Sequence, residues 1–121
     1  MDQPYLAWSD RPVVDARVTS VDVAELDYED GGGRYLYAGR PFTGFCAVRY
    51  PDGGLRSLTG FTDGIEHGVT VGWHPDGRLR IYAETAESVY HGLVAEWDAS
   101  GVLAHVSHYD LGLAVPDARS S

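Results

Sequence analysis

The stretch Val69-Thr70-Val71-Gly72-Trp73-His74-Pro75-Asp76-Gly77-Arg78-Leu79-Arg80-Ile81-Tyr82-Ala83-Glu84 reads as one β-hairpin. Val69, Val71 and Trp73 fall on one face of an extended chain, with Thr70, Gly72 and His74 on the other, so the first strand is half buried. Pro75-Asp76-Gly77 then supplies a turn: proline presets φ, aspartate can bond its own backbone, and glycine takes the positive φ that closes the loop. The return strand puts Leu79 and Ile81 on one side and Arg78 and Arg80 on the other. Tyr82 breaks that alternation with Leu79, which indicates a bulge.

The same pattern recurs on either side at an interval of 24 residues. One glycine ladder is Gly44, Gly68, Gly92; a second is Gly53, Gly77, Gly101; a leucine ladder is Leu55, Leu79, Leu103. Tyr37, Phe61 and Tyr109 share a register in which Thr85 is the exception. Leu58, Tyr82 and Val106 share another, and Gly64 matches Gly112. A fixed period of this length marks a stack of hairpin units, each burying its apolar face against its neighbours. The expected fold is therefore all-β. Three tandem 24-residue hairpins over residues 37–115 form an antiparallel sheet of about six strands with almost no helix. Turns are expected at Asp52-Gly53, Asp76-Gly77 and Ser100-Gly101. The ladder from Gly44 is expected to open each hairpin at a tight turn or close strand approach. No helical period follows these glycines, so they do not read as a phosphate cradle.

Residues 1–36 stand outside the period and read as an acidic capping segment. Val13 to Val23 is β-branched and partly alternating, which predicts one or two capping strands, followed by the loop Asp30-Gly31-Gly32-Gly33. Residues 116–121 read as a frayed tail.

A chain of 121 residues with formal charge −9 and pI near 4.7 is poorly suited to DNA, RNA or an anionic membrane, whose affinity comes from neutralising phosphate. A basic protein is the complementary partner. Acid is concentrated early: Asp2, Asp10, Asp15, Asp22, Glu25, Asp27, Glu29 and Asp30 face only Arg11 and Arg17. The basic residues are all arginine. No apolar run is long enough for a membrane span, and the start lacks the order of a secretory signal, so the cytoplasm is the expected location. Cys46, the single cysteine, cannot form an intrachain disulfide.

No set of residues reads as catalytic, and neither a metal nor a cofactor is expected. His67 and His91 occupy one register, where a turn-stabilising role accounts for both. His105 and His108 have odd spacing, which sends them to opposite faces of a strand unless the bulge intervenes. Cys46 shares its register with Thr70 and Val94, as a small strand residue would. Ser57, Ser88 and Ser107 lie in no nucleophile motif, and the Asp27, Glu29 pair lies in an acidic run. Trp73 and Trp97 would stack one period apart as core, leaving Tyr50, His74, Glu96 and Asp98 on the opposite face.

Tyr37-Ala38-Gly39-Arg40-Pro41-Phe42-Thr43-Gly44, Tyr50-Pro51-Asp52-Gly53, Phe61-Thr62-Asp63-Gly64 with His67-Gly68, and His91-Gly92 with Glu96-Trp97-Asp98 resemble the variant MORN repeats of the bacterial YwqK-type antitoxin family. That unit runs aromatic, acidic, Gly, then Gly, then Trp-Tyr, a turn ending in Gly, and Leu. The resemblance covers residues 35–112. It departs at Arg49-Tyr50, Trp73-His74 and Trp97-Asp98, where only part of each aromatic pair survives, and at Thr85-Ala86-Glu87-Ser88. What it implies is an antitoxin or immunity protein that binds and blocks a toxin. The alternatives are a MORN-type protein scaffold, or a small-molecule-binding β-protein or minor enzyme. Residues expected to meet a protein partner are Arg49, Tyr50, His74, Arg80, Glu96 and Asp98, by the usual weight of aromatic and arginine anchors beside complementary charge.

Overall fold

The structure, a computed structural model, describes residues 3–115. A 3-10 turn, Pro4–Trp8, leads into helix α1, Arg11–Arg17. Strands follow as β1 (Ser20–Asp22), β2 (Leu26–Glu29), β3 (Arg34–Tyr37), β4 (Arg40–Pro41), β5 (Gly44–Arg49), β6 (Leu55–Thr62), β7 (Ile65–Trp73), β8 (Leu79–Ala86), β9 (Val89–Trp97), β10 (Leu103–Asp110) and β11 (Leu113–Val115). The molecule is mostly β. An eight-stranded sheet runs β1-β5-β6-β7-β8-β9-β10-β11, and β2-β3-β4 form a separate three-stranded sheet. Among the described residues, no helix is long and apolar enough to cross a membrane.

From β5 to β10 each strand pairs antiparallel with the next. At one end of the sheet the N–H of Gly53 donates to the Tyr50 carbonyl, that of Gly77 to His74 and that of Gly101 to Asp98, at 2.9, 2.9 and 3.0 Å. These are the three expected turns. Asp52 and Asp76 tie them by accepting the N–H of Gly54 and Arg78. The third turn has Ser100 at that position, and Asp98 substitutes by accepting from the N–H groups of Ser100 and Val102. The bulge inferred from Leu79 and Tyr82 is present as a register shift after Gly72, with equivalent shifts after Val48 and at Leu103.

At the opposite end the strands are joined by two-residue turns, Asp63-Gly64, Glu87-Ser88 and Leu111-Gly112, with both residues of each at positive φ. This is the geometry whose twist suits a hairpin. Of the three ladder glycines, Gly44 opens its hairpin at the start of β5 as expected, and the other two do not. Gly68 and Gly92 lie inside β7 and β9, at φ 106° and 116°, where the register against the preceding strand shifts. A side chain would disfavour that backbone, so glycine is required by a bulge rather than by a turn.

The N-terminal segment departs furthest from the sequence reading. Val13 to Arg17 is helical, not extended, and only Ser20–Asp22 forms a capping strand, parallel to β5. The large sheet is therefore mixed rather than antiparallel. Asp10 accepts the N–H of Val13 and caps the helix, and Pro12 sits in its first turn, where its missing N–H costs nothing. Val14 and Val18, four apart, then face the sheet together. They complete a core with Ala47, Leu55, Leu58, Val71, Trp73, Leu79 and Tyr82, against which Tyr5 and Trp8 also pack. Burial against a preformed apolar sheet outweighs the modest helix penalty of valine. Trp73 is fully buried, and its indole N–H donates to the Trp8 carbonyl at 3.0 Å. Arg11 reaches between the first two turns, its guanidinium donating to the Leu55 carbonyl at 3.3 Å.

The other face of the sheet carries a second core at its β5, β6 end, where Phe42, Cys46 and Phe61 pack with Val21, Leu26 and Tyr35 from β1 and the small sheet. The loop Asp30-Gly33 joins β2 to β3, as expected. β3 runs across the expected boundary at residues 36 and 37. The tail from Pro116 lies outside the described residues.

Candidate functional site

The residues expected to meet a partner fall into two groups. Arg49, Tyr50, His74 and Asp98 lie along the end of the sheet that carries the three aspartate-tied turns. Their side chains are engaged there. The Tyr50 hydroxyl donates to the Trp73 carbonyl at 2.6 Å, and one hairpin further on, His74 Nε2 donates to the Trp97 carbonyl at 3.0 Å. The first two turns are thus each tied to the end of a strand in the following hairpin. Arg49 forms a two-pronged pair with Asp15 of α1, 2.9 Å at each nitrogen, and also donates to the Gly53 carbonyl. The Arg49 hydrogen bonds hold the Asp15 carboxyl below its usual range, against a smaller upward push from burial. Asp98 is held low by the Ser100 hydroxyl and then by the N–H of Val102.

Arg80 and Glu96 form the second group, on the sheet face away from α1. Glu96 pairs with Ile81 across the strands, and the Arg80 guanidinium lies over Gly72. Both are exposed. The expectation that Tyr50, His74, Glu96 and Asp98 share one face therefore holds for Glu96 alone. The others are turn residues, because the bulge before each turn takes them out of the alternation.

Trp73 is in the core as expected, but Trp97 is only half-buried. Its ring meets Tyr5 edge-on at 4.8 Å and borders an open cavity of about 410 Å³, lined also by Leu6, Ser9, Arg78 and Leu79. The Arg78 guanidinium donates to the Ser100 carbonyl on its rim. Sequence reasoning missed this cavity because Tyr5 and Leu6 belong to a segment with no periodic signal.

Several other polar groups bond within the fold. His91 accepts the N–H of Leu111 through Nδ1 at 3.1 Å, the turn role expected of it, whereas the exposed His67 in the same register makes no such bond to the described residues. His105 bonds the Ser107 hydroxyl. Burial pushes the Cys46 thiol up, away from the thiolate that a nucleophile needs. Glu84 accepts the Tyr82 hydroxyl and the N–H of Leu93, both at 2.8 Å. Among the described residues, no three histidine, cysteine or carboxylate side chains gather in a way that could hold a metal.

No protein family, no curated protein and no solved structure gave a match to the chain.

Proposed function

We propose that the protein is an antitoxin or immunity protein of the cytoplasm, which binds a basic toxin and blocks it, on a scaffold of three tandem MORN-like hairpins. The observation that carries this reading is the 24-residue period of turn, bulge and glycine, the unit in which the chain resembles the MORN-variant antitoxins. The charge of −9 supports a basic partner. Turn-end bonds to Tyr50, His74 and Asp98 hold a stiff rim, and a stiff surface loses little conformational entropy on binding. Arg80 and Glu96 offer an exposed polar face to the same partner.

The test is co-expression with each toxin encoded beside the gene, followed by binding measurements on the pair. Protection of the cells and a stoichiometric complex are expected. Higher salt should slow association more than it speeds dissociation, because complementary charge acts mainly on encounter. Failure to protect against every such toxin, or turnover of a small substrate, would replace this reading by the scaffold or small-molecule alternative.

A further inference from the structure

β11 pairs with β10 only at His108, Tyr109 and Asp110. Among the described residues, no strand lies along the outer edge of β10 from Leu103 to Ser107. The two-residue turn makes Asp110 and Leu113 a hydrogen-bonded pair, and alternation then directs the N–H and carbonyl of Val106 outward. The face beside this edge carries apolar side chains interrupted by His108 and Asp110, which stand across from Val115 and Leu113. Leu103 stands across from Trp97 and Val106 across from Ala95, so both continue the face that α1 and the 3-10 turn cover elsewhere. Among the described residues the cover reaches Trp97 through Tyr5 and goes no further. Leu103, Val106, Leu113 and Val115 are exposed, Leu113 at 75%, and Leu6 is exposed beside the cavity at Trp97. A bulge at Leu103 and His105 interrupts the start of this edge, and beyond it Val106-Ser107 carries no lysine, arginine or proline, residues with which sheets usually guard an edge.

We propose that this edge and the face beside it dock an extended segment of a partner protein, apolar at alternate positions and basic between them, which adds a strand to the sheet. Main-chain bonds to β10 give affinity and the alternate side chains give selectivity. Charge selects the occupant: from Ile81 to Val115 the chain has five carboxylates, Glu84, Glu87, Glu96, Asp98 and Asp110, and no arginine. A second copy would bring the same acid to the same edge and be repelled, whereas a basic segment is attracted. The proposal rests on the functional reading in one respect, that the partner is a basic protein.

The probe is a synthetic peptide of alternating valine and lysine, with a valine and glutamate peptide as control. Amide exchange and chemical shifts are followed by NMR on the full chain. With the lysine peptide at nine-tenths saturation, the Val106 amide should exchange about tenfold more slowly, with shift changes centred on residues 103–115. The glutamate peptide should leave both unchanged. Val106→Arg, a change at an exposed side chain, should abolish lysine-peptide binding without moving the unfolding midpoint, and Leu113→Arg serves as a second variant. The proposal is overturned by equal binding of the two peptides, or by shift changes centred elsewhere. It is also overturned by protection of the Val106 amide before peptide is added, whether the edge is paired within the chain or by a second copy. The cell-protection assay separates the two readings. If wild type and Val106→Arg protect equally, the docking surface falls and the antitoxin reading stands. If wild type fails to protect although the lysine peptide docks at β10, the antitoxin reading falls and the docking surface stands.

Discussion

Ser88 is held at φ 70° and its neighbour Glu87 at 50°, in a turn whose counterparts end in Gly64 and Gly112. A residue with a Cβ in that region costs about 1 kcal/mol. Ser88→Gly is therefore expected to raise the unfolding free energy by up to about 1 kcal/mol, read from the denaturant midpoint at constant slope. Thr85 stands where the neighbouring hairpins place Phe61 and Tyr109; it is buried, and its hydroxyl has no hydrogen-bond partner among the described residues. Thr85→Val keeps the shape and removes the unpaired group, so a gain of about 1 kcal/mol is expected in the same titration. Asp15 and Asp98 give a pH dependence of definite sign. Their folded pKa values lie below the ordinary 3.8, so their contribution is present above that value and is lost as pH falls through the folded values. Both are solvent-exposed and the effect is small. Acid titration of stability should be flatter below about pH 4 in Asp15→Asn with Asp98→Asn than in the wild type. At this scale the sequence was informative where glycine, proline and aspartate mark a turn, and silent at Glu87-Ser88, where neither residue favours the conformation it adopts.

The hairpins were legible because their signals are local. Alternation, turn and bulge all lie within one period, so the bulge after Gly72 could be inferred from Leu79 and Tyr82 alone. Helix α1 was not, although Asp10 and Pro12 form a helix start signal. Four valines between residues 13 and 21 favour a strand by propensity, and the competing term, burial of Val14 and Val18 on a sheet formed by residues 45–97, is invisible to a local window. The two tryptophans separate for the same reason. Trp73 lies beneath the cover and Trp97 at its margin. Trp73→Ala should cost about 3 to 5 kcal/mol and Trp97→Ala clearly less, both read from equilibrium unfolding. Equal losses would place the margin of the cover elsewhere.

Across the whole molecule the candidate site was only partly legible. Arg80 and Glu96 are exposed on the open face, but Arg49, Tyr50, His74 and Asp98 hold turns together, and no periodicity indicates which carbonyl a side chain will reach. The cavity beside Trp97 needs Tyr5 and Leu6 from one end of the chain and Arg78 from beyond its middle. One bond described above, from the Trp73 indole to the Trp8 carbonyl, spans 65 positions. On the ribosome the cover is thus made first and used last: Tyr5, Trp8 and Val14 emerge before the hairpins on which they rest. Until Trp73 leaves the exit tunnel the nascent chain carries an unsheltered aromatic segment, the kind of surface that chaperones recognise. Chains stalled before β7 is exposed should be cleaved by protease within residues 4–18, and chains stalled after β9 should resist, which would give this small protein a vectorial order of assembly opposite to its order of synthesis.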